Sequence, residues 1–195
     1  MAALTALREA GAGRIALEVD GRPWRTVPAA VVARAGLVEG LELDRPTLRR
    51  VRSELVRGRA LGIAGRALAR RELSTRELDG RLARAGVAPA VAEDVREGLV
   101  AVGAVDDARY ARTAAESLAR RGWGDTAIEV KLDAAGVGCE ALREAIDGLE
   151  PEPERARAAV RGERDPRRAA ARLVRRGFSQ ESVEQCVGAA LDWDA

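Results

Sequence analysis

The sequence predicts a mainly α-helical protein, built as tandem three-helix modules in an elongated array behind a small N-terminal β-hairpin and helix element. Three observations lead there. An apolar helical stripe closes on a Gly and an apolar residue at Gly86-Val87, Gly136-Val137 and Gly177-Phe178, with spacings of 50 and 41 residues. A second helical pattern begins at once after each, and a period of this size marks units that bury their apolar faces partly against their neighbours. Aromatic residues make up only 3% of the chain, so cores must come from Ala, Leu and Val, which suits close helix packing better than a β-sandwich. Strand-like alternation is confined to the N-terminal region.

There, Ile15, Leu17 and Val19 alternate with Ala16, Glu18 and Asp20, and Asp20-Gly21 leads to an extended run through Trp24 and Val27. Alternation around Asp-Gly reads as a hairpin, with a short preceding strand near Leu4 to Arg8. After Pro28, Ala29 to Ala35 is a short helix closed by Gly36, and Leu37 to Leu43 is a connector turning at Gly40. Asp44 caps a helix from about Pro46, with Leu48, Val51 and Leu55 on one face and Gly58 as its end.

The body divides into modules at 58–104, 105–149 and 150–195, after an N-terminal element at 1–57. In the first, a helix with Leu61, Ala64 and Leu68 runs to Arg70-Arg71-Glu72. Ser74-Thr75-Arg76-Glu77 then forms a capping box, in which the Ser74 hydroxyl accepts from the third amide and Glu77 reaches back. A helix with Leu78 and Leu82 stops at Gly86, and one with Val91, Val95 and Leu99 closes the module. Shifting Ser74 by the repeat spacings gives Gly124 and Asp165, both acceptable caps, with Pro166 placed for the first helical position. Leu82, Leu132 and Leu173 each precede the Gly by four residues. Leu142 and Ile146, then Val183 and Val187, repeat the spacing of Val91 and Val95. Gly62, Gly65 and Gly124 stand where stronger helix formers or caps exist, which marks either close packing or local looseness.

A net charge of +2 conceals segregation. Arg49 to Arg84 holds eleven Arg against four acids, and Arg155 to Arg176 nine against two, an excess of seven in each. Acidic stretches around Glu93 to Asp107 and Glu140 to Glu154 separate them. Such patches steer a protein to a polyanion or an acidic protein surface. Equally, Lys131 is the only lysine among 33 basic residues, and an Arg-biased composition would place many of these side chains on solvated faces. No apolar window reaches the roughly 18 residues of a membrane span, and no signal peptide is evident, so no membrane association and a cytoplasmic location are expected. Cys139 and Cys186 lack CxxC spacing and read as inert core or half-buried thiols rather than disulfide or zinc ligands. There is no His, P-loop, GxSxG turn or carboxylate cluster with metal-ligand spacing. No catalytic residue, cofactor or metal is expected, and function must rest on binding.

Ala67-Leu68-Ala69-Arg70-Arg71-Glu72-Leu73-Ser74-Thr75-Arg76-Glu77-Leu78, Val105-Asp106-Asp107-Ala108-Arg109-Tyr110-Ala111 and Arg175-Arg176-Gly177-Phe178-Ser179 resemble, in order and separation, the three modules of the RecX family of regulators of the RecA recombinase. Val31 to Gly40, with the hairpin before it, resembles the N-terminal extension of many members. The resemblance implies a non-enzymatic regulator, mainly an inhibitor, that binds in the helical groove of the RecA filament on single-stranded DNA. It restrains ATP hydrolysis, coprotease action and strand exchange, in the context of the SOS response and recombinational repair. A monomer is expected.

The partner-binding candidates are Arg70, Arg71, Arg76, Arg81 and Arg84 around the first capped helix, then Arg120 and Arg121, then Arg172, Arg175 and Arg176, because guanidinium groups suit carboxylate or phosphate contacts. The competing reading has several of them pairing within their own helices, as Glu77 and Arg81 do at a spacing of four. Tyr110 and Trp123 are expected in module packing, and Trp193 as a terminal lid or exposed contact. Direct DNA binding is the rival class, since a three-helix unit with a basic helix also describes helix-turn-helix folds. An adaptor of another assembly is a third.

Overall fold

The computed structural model describes residues 2–191; Trp193 lies outside them. The N-terminal sheet has three antiparallel strands in sequence order, β1 (Leu4–Glu9), β2 (Arg14–Val19) and β3 (Arg22–Pro28). Asp20 and Gly21 both have positive φ, 49° and 74°, which is the backbone a two-residue hairpin turn requires. The other edge of β1 is covered where Leu4 N–H donates to Leu41 and Leu43 N–H to Ala2. Helix α1 (Ala29–Ala35) ends at Gly36 in the left-handed conformation. Leu4, Leu17, Val27, Val31, Ala35, Leu37 and Val51 form one buried cluster over the sheet.

Asp44 caps helix α2 (Arg45–Leu68), accepting from the Thr47 amide at 2.8 Å. Gly58 does not end this helix, which continues across residues 57 and 58 for 24 residues. The reason lies in the buried faces. Val51 is buried with the N-terminal cluster, whereas the next buried positions are Ala60, Ala64 and Ala67. Nine residues after Val51 is two and a half turns, so Ala60 lies on the opposite side. One helix therefore serves two faces, and Gly58 falls where they exchange. An added Cβ at Gly58 or Gly65 would meet nothing within 4 Å, so these glycines are not there for close packing. Gly58→Ala and Gly65→Ala should each stabilise the protein by about 0.5–1 kcal/mol. Denaturant unfolding checks this, and a loss of stability in both would contradict the open space.

The remaining helices are α3 (Thr75–Arg84), α4 (Pro89–Ala101), α5 (Asp107–Arg120), α6 (Asp125–Ala134), α7 (Cys139–Asp147), α8 (Glu152–Ala159), α9 (Pro166–Arg175) and α10 (Gln180–Leu191). Gly86, Gly136 and Gly177 all have positive φ, 73°, 79° and 74°. In each turn the apolar residue after Gly donates back to the buried leucine: Val87 to Leu82, Val137 to Leu132 and Phe178 to Leu173. This six-to-one bond is the Schellman closure of a helix. Cys186 is half-buried against the third module's core, and burial pushes its thiol up. Cys139 corrects the expectation of a core or half-buried thiol: it opens α7 directly after Gly138 and is exposed.

The chain forms two compact units: residues to Arg70 with Arg81–Gly98, and Arg71–Gly80 with residues from Leu99 onward. Within the second unit the modules join by one repeated device. The start of a middle helix rests on the Gly turn of the next module. Ser74 Oγ donates to Ala135 O at 2.6 Å; at the equivalent place Gly124 N–H donates to Arg176 O at 2.9 Å. Helix α5 then supplies Asp107, whose carboxylate accepts from the Thr75 amide at 2.8 Å and the Thr75 hydroxyl at 2.7 Å. Helix α8 supplies Glu152, which accepts from the Asp125 amide at 2.7 Å. Each carboxylate satisfies the first amide of the preceding module's middle helix, an orphan donor in a favourable dipole position. In the third module that position is Pro166, which has no N–H to offer. Asp165 there closes its own helix, accepting from the Arg167 amide at 2.9 Å. The joint is thus used twice and closed at the third site.

Candidate functional site

In the first compact unit, the end of α2 and the end of α3 converge on a groove of about 580 Å³ lined by Ile63, Arg66, Ala67, Arg70, Arg81, Arg84 and Ala85. Arg81 and Arg84, three apart on α3, share a helix face, and Arg66 near the end of α2 is joined by Arg70 from the turn just beyond that helix. No acid lines the groove, and none of these four guanidinium groups has a hydrogen-bond or ion-pair partner among the described residues. Elsewhere in the unit an arginine is neutralised, as Arg57 is by Asp94 at 3.2 Å. Three of the sequence candidates, Arg70, Arg81 and Arg84, are thereby brought together. Arg66 was missed, although its distance of four from Arg70 on a predicted helix was a usable signal.

The expected pairing of Glu77 with Arg81 is replaced by one with Arg71. Arg71 holds both Glu77 oxygens, at 2.7 and 3.0 Å, a two-pronged contact that suits guanidinium geometry. Burial opposes ionisation of Glu77, but Arg71, the Ser74 amide and the Tyr110 hydroxyl outweigh it and hold the carboxyl below its ordinary value. Burial, then the Glu77 charge, raises the Tyr110 phenol. The capping box stands as read, with Ser74 Oγ accepting from the Glu77 amide at 3.1 Å. Arg76 is an exposed residue whose Cβ and Cδ crowd the space above Gly136.

Of the second-module candidates, Arg120 is exposed beside Glu116 at 3.5 Å. Arg121 is exposed too, and its carbonyl accepts from Arg176 Nη1 at 2.6 Å. Arg176 also stands over the Trp123 ring at 5.4 Å, with Lys131 at 4.7 Å, so two cations meet the Trp123 ring. Both Trp123 and Tyr110 are half-buried against the second module's core. Arg176 is therefore spent on a joint inside the chain. Arg172 and Arg175 are exposed on α9 and have no partner among the described residues.

The basic run from Arg155 contains one residue of another kind. Arg155 is buried, pairs with Asp125, and donates to Glu150 O at 2.7 Å and Trp123 O at 3.1 Å. Beside it Glu152, also buried, accepts from the Ser179 amide and hydroxyl and from the Ser182 hydroxyl. Burial raises the Glu152 carboxyl, but these donors prevail and hold it below the ordinary range. Asp125 goes the other way: burial outweighs Arg155 and raises it. These groups bind helices to one another.

Among the described residues, no group of three or more His, Cys, Asp or Glu could hold a metal ion, and no helix is long and apolar enough to cross a membrane. What the site offers is unpaired positive charge on a helical scaffold. Fold and site together define a tandem three-helix-module protein carrying a basic groove. No protein-family model matches the chain. Regulatory protein RecX of Stenotrophomonas maltophilia (strain R551-3) is 35% identical over 154 residues, covering 73% of this chain and 92% of that protein. Regulatory protein RecX of Deinococcus radiodurans is 35% identical over 150 residues, 72% of each chain. A crystal structure of regulatory protein RecX superposes with a TM-score of 0.81 at 19% identity, covering 95% of this chain and 98% of that one. RecX from Lactobacillus salivarius gives 0.62 at 15% identity over 71% of this chain and 97% of its own. The structural matches carry the fold; the sequence relatives carry the family. The chain belongs to the RecX family of regulatory proteins.

Proposed function

We propose that this protein regulates RecA without catalysis of its own, by binding in the groove of the RecA filament on single-stranded DNA and restraining ATP hydrolysis, coprotease action and strand exchange. The kinship to proteins named regulatory protein RecX carries the reading. The unpaired guanidinium groups of Arg70, Arg81 and Arg84, and of Arg172 and Arg175, support it as surfaces for acidic protein or phosphate. A binder shifts a filament between states only by its difference in affinity for them. Reversing a population from 1:99 to 99:1 takes about 10⁴-fold discrimination. Such a protein works as a cytoplasmic monomer. The decisive measurement is RecA ATPase on single-stranded DNA with this protein at substoichiometric ratios. A marked fall in hydrolysis is expected, and unchanged hydrolysis even at excess would sink the proposal.

The second reading, action on bare nucleic acid, draws on the same unpaired arginines. If about six of them neutralised duplex phosphates, affinity would fall roughly a thousandfold between 50 and 200 mM salt. Equal affinity for naked and RecA-coated strands at physiological salt would favour it over the first.

A further inference from the structure

The third module repeats the joint site of the first two, and among the described residues no further module covers it. At the first site the start of α3 is met by Asp107 and Ala135. At the second the start of α6 is met by Glu152 and Arg176. The corresponding start of α9 opens onto a pocket of about 370 Å³ lined by Asp165, Pro166, Arg167, Ala170 and Val187. We infer that the segment 192–195, which follows α10 and lies outside the described residues, closes this pocket with the Trp193 indole. The last unit of a repeat array has to be capped where its neighbour would have been, and this lid supplies the cap. It goes beyond the RecA reading and does not rest on it.

Size, chemistry, charge and reach select that occupant. Ala170 and Val187 are half-buried against the third module's core, so the pocket exposes apolar surface that favours an apolar cover. A helix about 10 Å across would fill the volume with about one turn, so the pocket takes one large side chain and not another module. Pro166 excludes a module, including that of a second copy, for a further reason. Each covered site offers a first-turn amide to an incoming carboxylate, Thr75 to Asp107 and Asp125 to Glu152, and proline has no N–H to give. An indole needs none. The segment carries Asp192 and Asp194 on either side of Trp193, whereas residues 161–168 hold four Arg against two acids, and the start of α9 adds the positive end of its dipole. Val187, in the lining, precedes Trp193 by six residues, a span of at most about 20 Å when extended, so the indole is tethered within reach.

The test reads Trp193 fluorescence in the full chain, as the difference between Trp24→Phe and Trp24→Phe/Trp193→Phe. The difference emission should be blue-shifted and shielded from acrylamide. Adding Ala170→Gln, which extends a side chain into the pocket from α9, should return it to the emission of an exposed indole while the helical circular dichroism stays the same. A second measurement leaves the pocket untouched: in Trp193→Ala, amide exchange at Arg167 and Arg168, the first turn of α9, should quicken by about tenfold, the scale of losing one buried aromatic side chain. An exposed emission in the full chain, with amide exchange unchanged in Trp193→Ala, would overturn the inference. So would a shielded emission that Ala170→Gln leaves unmoved, which would bury the indole elsewhere. Shielding that disappears on dilution would overturn it in favour of a second copy as the cover. RecA ATPase has no part in these readouts, so either proposal can fail without the other.

Discussion

Glu152→Ala should destabilise the protein by about 3 kcal/mol or more, because its carboxylate satisfies several donors at once. It accepts from the Asp125 amide, the Ser179 amide and hydroxyl, and the Ser182 hydroxyl. A hydrogen bond to a charged group contributes about 1.5–3 kcal/mol, and each buried donor left unsatisfied costs about 1–3 kcal/mol. The helix starts at Asp125 and Ser179 also lose a negative charge where their dipoles favour one. Glu152→Gln keeps the shape and one acceptor oxygen, so it should cost roughly half as much. Denaturant unfolding gives the difference, and amide exchange at Asp125 and Ser179 should rise first. A cost below about 1 kcal/mol for Glu152→Ala, the scale of one ordinary hydrogen bond, would show that water replaces the carboxylate.

The same group sets an acid limit. Its folded pKa lies below the ordinary value of 4.5, as does that of Glu77. The stability they add is therefore complete above about pH 4.5 and is lost as pH falls through the lower folded values. Asp125 titrates in the opposite sense, since burial raises it, and its proton uptake offsets part of that loss. Stability should fall below about pH 4.5 with a slope that Glu152→Gln reduces.

Much of the architecture was legible because it rests on local rules. The Gly turns, the Ser74 and Asp165 caps and the hairpin at Asp20-Gly21 are each a backbone demand met by a few residue types. The mainly helical fold followed from them. Gly58 misled because a helix-breaking residue was weighed without the exchange of buried faces around it, which only the folded chain shows. The candidate site was legible in part. Arg70, Arg81 and Arg84 meet in one groove, whereas Arg71 and Arg176 turn inward to Glu77 and to the Arg121 carbonyl. Counting charge along the chain cannot tell these cases apart. Arg155 stood in the same basic run as Arg172 and Arg175, yet it is buried against Asp125. Partner choice over 30 residues of separation is tertiary information.

Gly124→Ala should be the other severe substitution, and it answers whether this weak cap marks looseness or contact. A Cβ there would lie 2.3 Å from Gly177 O and 2.3 Å from Phe178 N, both backbone atoms that no rotamer change can move aside. The two chains of atoms must separate, which breaks the 2.9 Å bond from Gly124 to Arg176 O. Overpacking costs about 1–3 kcal/mol and the lost bond about 1 kcal/mol, so a total of about 2–4 kcal/mol is expected. Gly65→Ala, also a Gly-to-Ala change, should have the opposite sign. Because Arg176 lies over Trp123 at this joint, the Trp123 emission should shift in a background lacking Trp24 and Trp193. Nothing comparable is expected at Ser74, the equivalent cap, where the side chain itself makes the bond to the next module. The two joints thus solve one problem differently: the first spaces its modules by a hydroxyl, the second by the absence of any side chain. A neutral Gly124→Ala would mean that the second joint can adopt the wider spacing of the first.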